Sequence, residues 1–422
     1  MTSLLKDLPE LVTNNVISPQ TAKDIENYYI HKKQPQGNNL MAIFGVLGAT
    51  LVGLGIILIF AHNWDNFSRT VKTALALLPL ISFQALTAYT ILKDKSTVWK
   101  QTSGTLLFFS VGAAIALIAQ IYNIPGNTAS FLCTWTVLCL PLVYILRANI
   151  LGILHIIFAT WYAAIAGYED DNLPWMYVAF IAAFIPFYIE RHRSGHTGFT
   201  GFMNLLLPVS GTIVLGTFLD NEYAFNLITY LGFFGLLYAV GQLPFFRNFG
   251  FRGNGYHIVS QAGIIFVMML MSFKWFWEMD NMLGIAPFTG ILWCVILVAT
   301  IGISYKYELL QRADPFILAI LASPLFYFVG YLNPLAAMAF VNIITLALGV
   351  AIIRKGVAKI DLPLLNFGLV IVSVLIICRF FDTYMTFAIR GLLFVAVGAG
   401  FFAANYILIR KKKNLETATH EN

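Results

Sequence analysis

Apolar runs long enough to cross a membrane follow one another along almost the whole chain, with short polar links between them. The first, residues 40–60, carries no charge. At ~1.5 Å rise per residue it reaches across a ~30 Å hydrocarbon core. Further runs fall at 71–92, 103–121, 129–146, 150–167, 173–189, 200–219, 223–246, 256–273, 284–304, 314–331, 335–353, 362–378 and 388–409. The pattern predicts an all-α fold, a polytopic transmembrane helix bundle of about 14 spans. The narrowest divisions are Arg147-Ala148-Asn149 and residues 331–334.

Ahead of the first run, Leu4, Leu8, Leu11 and Val12 recur at helical spacing, and Ala22, Ile25 and Tyr29 share one face. Ser18 followed by Pro19 reads as an N-cap with proline at the first helical position. Two short helices joined around Asn14-Asn15 are therefore expected. The chain divides into a cytoplasmic helical segment (1–39), the bundle (40–409) and a basic cytoplasmic tail (410–422). The polar amino terminus lacks the apolar core of a signal peptide. The first span is expected to act as its own insertion signal.

Composition agrees with the pattern. The chain is 59% hydrophobic and 11% charged, against ~25% charged in soluble domains. Lipid must therefore be the solvent for most of it. Net charge is +6, but the cations sit in short links rather than in one patch, which argues against a nucleic-acid partner. Links on the amino-terminal side hold 21 of the 26 Lys and Arg and 11 of the 20 acidic residues, so that side carries +10 and the other −4. This asymmetry predicts that both termini lie in the cytoplasm. Arg410-Lys411-Lys412-Lys413 then anchors the chain at an anionic leaflet. Cys133, Cys139, Cys294 and Cys378 all lie within apolar runs and have no metal-ligand spacing, so they read as small hydrophobes.

Candidate chemistry is sparse. No Asp or Glu lies near the middle of a run, which weakens a proton-driven pump. Buried amides such as Gln84, Asn204, Gln242, Gln261, Asn342, Asn366 and Asn405 read first as helix-to-helix glue. Glycines in the first span (Gly45, Gly48, Gly53, Gly55) and the last (Gly391, Gly398, Gly400) mark expected close helix packing. Prolines 79, 141, 186, 208, 244 and 324 free backbone carbonyls that either kink a helix or line a cavity. Three polar groups fall at the less basic side: His62, Asn63 and Asp65 with Arg69; Gln120 with Tyr122; and Arg379 with Asp382. If they converge, they form an outward-facing pocket with both charge signs, suited to a small solute or a lipid head group. His155 lies apart, toward the other side. No HExxH, GxSxG or Walker A sequence occurs, no catalytic or metal-binding residue is assigned, and no cofactor is implied.

The segments LVTNNVISPQTAKDIENYY, GIILIFAHNWDNFSRTVK and LIAQIYNIPGN, with NFGLVIVSVLIICRFFD near the end, resemble the bacterial membrane proteins of domain-of-unknown-function family 2157. That resemblance implies an integral membrane protein with a short cytoplasmic amino-terminal domain, and implies no reaction. The leading expectation is a multi-pass protein that binds or transports a small solute or lipid head group, with membrane lipids as partners. The alternatives are an intramembrane enzyme using His62 and Asp65, and a non-catalytic scaffold or sensor acting through residues 1–39.

Overall fold

A computed structural model describes residues 8, 11–14, 16–32, 64–195, 197–219, 223–247, 254–278 and 287–380, with short helical pieces between 387 and 406. The expected first span, His62, Asn63, His196, Asp382, Asn405 and the basic tail lie outside the described residues, as does most of the last span. Among the described residues the fold is helical throughout. The chain forms two units, residues 1–75 and 76–422.

In the first unit, α1 (Pro19–Lys32) begins where the Ser-Pro pair places it. Ser18 Oγ accepts from the Thr21 amide at 3.1 Å, satisfying one of the amides a helix start leaves open. Further on, Trp64–Asn66 forms a 3-10 turn. The Val71 amide donates to Ser68 Oγ, and α2 (Arg69–Leu92) starts there. Asp65 therefore sits in the turn ahead of the helix that Arg69 opens. Lys72 lies over the Trp64 ring, 5.6 Å from its centroid.

The second unit continues with α3 (Thr97–Tyr122), α4 (Thr128–Leu146), α5 (Asn149–Ala164), α6 (Trp175–Arg193), α7 (Thr197–Leu215) and α8 (Tyr223–Gly241). A short α9 (Pro244–Arg247) leads to α10 (Gly255–Met271) and α11 (Lys274–Trp277). Then come α12 (Pro287–Lys306), α13 (Pro315–Leu321), α14 (Ser323–Leu332), α15 (Pro334–Lys359) and α16 (Leu362–Phe380). Each expected run from 71–92 to 362–378 is occupied by helix. Nine of these helical segments are long and apolar enough to span, counting α13 and α14 as one. Phe225–Gly241 of α8 and the whole of α10 are apolar but shorter. The full count of about 14 is thus not reached among the described residues.

Both narrow divisions are helix ends. Arg147 stops α4 in a left-handed conformation (φ 47°). Asn333 caps α15, its Oδ1 accepting from the Leu335 and Ala336 amides at 2.9 and 3.1 Å. The break between α13 and α14 falls at Ala322, two residues before Pro324, whose missing N–H interrupts the helical ladder.

Two hydrophobic cores organise this unit. One gathers Phe108, Leu132, Trp135, Phe158, Phe184 and Met203 from α3 to α7. Trp135 Nε1 donates to the Phe108 carbonyl at 2.8 Å, and its ring lies where a Cβ on Gly112 would be. The other gathers Ile228, Phe234, Met268, Trp277, Ile320, Val341 and Ile371 from α8 and α10 to α16. Tyr256 packs against both.

Close backbone approach occurs at other glycines, while the glycine-rich first run lies outside the described residues. Among the described residues, nothing lies within 4 Å of a Cβ built at Gly391, Gly398 or Gly400. One tight pair is α15 with α16. There a Cβ on Gly356 would lie 2.6 Å from the Leu365 amide nitrogen, and one on Gly368 2.8 Å from that of Ile353. Such contact is what holds helices together where lipid removes any hydrophobic drive.

Candidate functional site

A cavity of about 750 Å³ lies at the seam between the two cores. Helix α6 supplies Tyr177, Phe184 and Tyr188, α7 supplies Pro208 and Gly211, α8 supplies Phe233, and α10 supplies Tyr256. Sites between bundle helices of this size commonly take small ligands.

The walls are apolar because their polar ends are spent elsewhere. Tyr177 OH shares a 2.7 Å hydrogen bond with Ser210 Oγ, and Ser210 Oγ shares one of 2.6 Å with Thr160. Tyr188 OH donates to Asn204 Oδ1. The rings and aliphatic chains are left to face the space. Pro208 has no N–H for the Asn204 carbonyl. Gly255, opening α10, lies so close that a Cβ there would be 2.4 Å from that oxygen.

The cavity has an exposed apolar flank and a basic end. Val178 and Ile185 line it and are about half exposed, at 52% and 45%. At the other extreme it reaches Arg193, the last residue of α6. A groove along Ile185, Pro186, Ile189 and Glu190 continues past Arg193 to Ser194. Beyond the apolar part of α6, His192 stacks on Phe245, ring centroids 3.4 Å apart. Burial holds the His192 pKa below the ordinary histidine value.

The residues selected from sequence are placed as follows. Arg69 is exposed at the start of α2, in the first unit's portion of that helix. Asp65 is described only as part of its turn. Gln120 and Tyr122 are exposed at the end of α3, which packs on α4 and α5. Nearby, Asn127 caps α4 and its Nδ2 donates to Asp170 at 2.8 Å, tying that loop to the acidic link. Arg379 is buried at the end of α16, donates to Ser272 Oγ at 3.2 Å and lies 4.6 Å from the Phe273 ring centroid. Asn342 donates to the Ser272 carbonyl at 2.9 Å, acting as the expected glue. Arg379 and the Gln120–Tyr122 pair are thus held by different helices. His155 is a core residue, its Nε2 3.2 Å from the Phe180 carbonyl.

Comparison with known proteins reaches only the amino-terminal part. Residues 9–152 match the family model "Predicted membrane protein (DUF2157)". This is the family that the AHNWD-centred segments resemble, and with several apolar helices it establishes a membrane protein. No curated protein and no solved structure matches the chain. The DUF2157 match ends before α6, so every lining residue of the cavity lies beyond it.

Sequence reasoning passed over the cavity because it sought polar groups. The available signal was Pro208 in one run and Tyr177 and Tyr188 in the run before it.

Proposed function

We propose that the protein binds a membrane amphiphile, drawing its hydrocarbon tail from the bilayer into the seam cavity with the head toward Arg193. One observation carries this reading: an aromatic and aliphatic cavity of about 750 Å³ that reaches exposed apolar residues at one flank and a cation at its end. A polar solute fits poorly, since Tyr177 and Tyr188 already have hydrogen-bond partners. In this reading the bound molecule lies at the seam rather than among the outer polar groups. The charge asymmetry supports Arg193 lying on the cytoplasmic side of a bacterial inner membrane.

The test uses the full chain in vesicles of a phospholipid with a photoactivatable group on its acyl chain. Labelling is expected to concentrate on α6, α8 and α10. Ala182 lines the cavity from an exposed position, so Ala182→Trp fills the space without disturbing a core. It is expected to reduce labelling at these helices by most of its value. Labelling unchanged in a monodisperse Ala182→Trp protein would contradict the proposal.

A further inference from the structure

A second cleft, sharing no lining residue with the seam cavity, opens between α13 and α15. Its mouth, about 500 Å³, carries Arg312, Arg354 and Lys355. A narrower groove of about 270 Å³ continues from it. The two share Ala313, Pro315, Ala347 and Ala351, so cationic mouth and apolar groove form one channel. Ala347 and Ala351 stand four apart on α15, leaving a trough where longer side chains would fill it. Leu318, which lines the groove, is 49% exposed, so the groove faces lipid.

The charge at the mouth remains positive. Asp314 is buried and turned inward, accepting from Tyr238 OH at 3.1 Å, the Phe316 amide at 3.1 Å and Lys355 Nζ at 3.4 Å. Glu308 pairs with Arg312 at 2.8 Å, both side chains exposed. Arg354 is exposed at the same mouth. Guanidinium groups bind phosphate oxygens through paired N–H donors. Clusters of basic residues at the end of a spanning helix attract anionic lipids.

We infer that this cleft is a binding site for an anionic phospholipid, its phosphate held by Arg312 and Arg354 and one acyl chain lying along Ala347 and Ala351. The site is separate from the amphiphile-binding reading of the seam, so either holds without the other.

The test is native mass spectrometry of the full chain with dioleoyl phosphatidylglycerol, dioleoyl phosphatidylcholine or inorganic phosphate. Phosphatidylglycerol is expected to be retained over phosphatidylcholine by about thirtyfold, the factor that ~1 kcal/mol from each of two basic residues supplies. R312Q/R354Q is expected to erase that preference, and R312K/R354K to keep most of it. Ala347→Trp, at an exposed position, is expected to remove phosphatidylglycerol retention with the cations intact. Equal retention of the two lipids by the unaltered protein overturns the inference. So does phosphate that displaces phosphatidylglycerol while Ala347→Trp has no effect, an outcome that marks a site for free anions. The charge variants decide the matter alone if Ala347→Trp does not yield monodisperse protein.

Discussion

Gly368→Ala isolates what holds α15 to α16. A Cβ at Gly368 would lie 2.8 Å from the Ile353 nitrogen and 2.9 Å from the Gly349 carbonyl oxygen. Ordinary contact begins near 3.4 Å, so the two backbones must part by roughly half an ångström. These two atoms are backbone and cannot swing away, whereas Ile353 Cγ1, also 2.8 Å off, belongs to a side chain. Overpacking of this kind costs about 1–3 kcal/mol. Alanine recovers about 1 kcal/mol in helix propensity. The net expectation is a loss of about 0–2 kcal/mol, and of about 1–3 kcal/mol relative to a variant that has the propensity gain alone. Gly302→Ala is the control, since nothing lies within 4 Å of its Cβ among the described residues and only the propensity gain applies. Denaturation of both variants in a mild detergent, titrated with dodecyl sulfate and followed by tryptophan fluorescence, gives the comparison. Gly368→Ala should unfold at lower dodecyl sulfate than the unaltered protein, and Gly302→Ala at equal or higher. Equal midpoints for the two variants would refute the close-approach argument.

Three further outcomes follow from particular contacts. Asn127→Ala removes the cap of α4 and the bond to Asp170. It should cost about 0.5–2 kcal/mol by the same denaturation assay. Trp135→Phe leaves the Phe108 carbonyl without its indole donor and opens space over Gly112. Loss of about 1–3 kcal/mol is expected, with a weakened near-ultraviolet dichroism signal. His192 has a folded-state pKa below its unfolded value of 6.5. Its stacked, neutral form therefore contributes stability that is present above 6.5 and lost as pH falls. The midpoint should drop on acidification from about pH 7.5 to about 5.5, and His192→Phe should flatten that drop.

Helix positions were legible because the bilayer demands long uncharged runs and the links are short and basic. Even the narrow break at Arg147 could be read, since a cation there interrupts two apolar runs. Ser18-Pro19 set the start of α1 for a local reason, a cap satisfied within three residues. The close-packed glycines were harder. Gly356 and Gly368 are spaced like many other glycines, and their partners are chosen by how two helices cross. Arg379 stood out by its charge, yet its hydrogen-bond partner Ser272 is 107 residues away. The seam cavity was hidden for a similar reason. Tyr177, Phe184, Phe233 and Tyr256 come from three helices and look like any core aromatic until packing leaves a space between them.

A density map of the full chain, purified and reconstituted in a native-lipid nanodisc, tests the seam cavity most directly. Elongated density is predicted between Phe184, Phe233 and Tyr256, reaching toward Arg193. Those side chains closed together, with neither density nor space between them, would contradict the account.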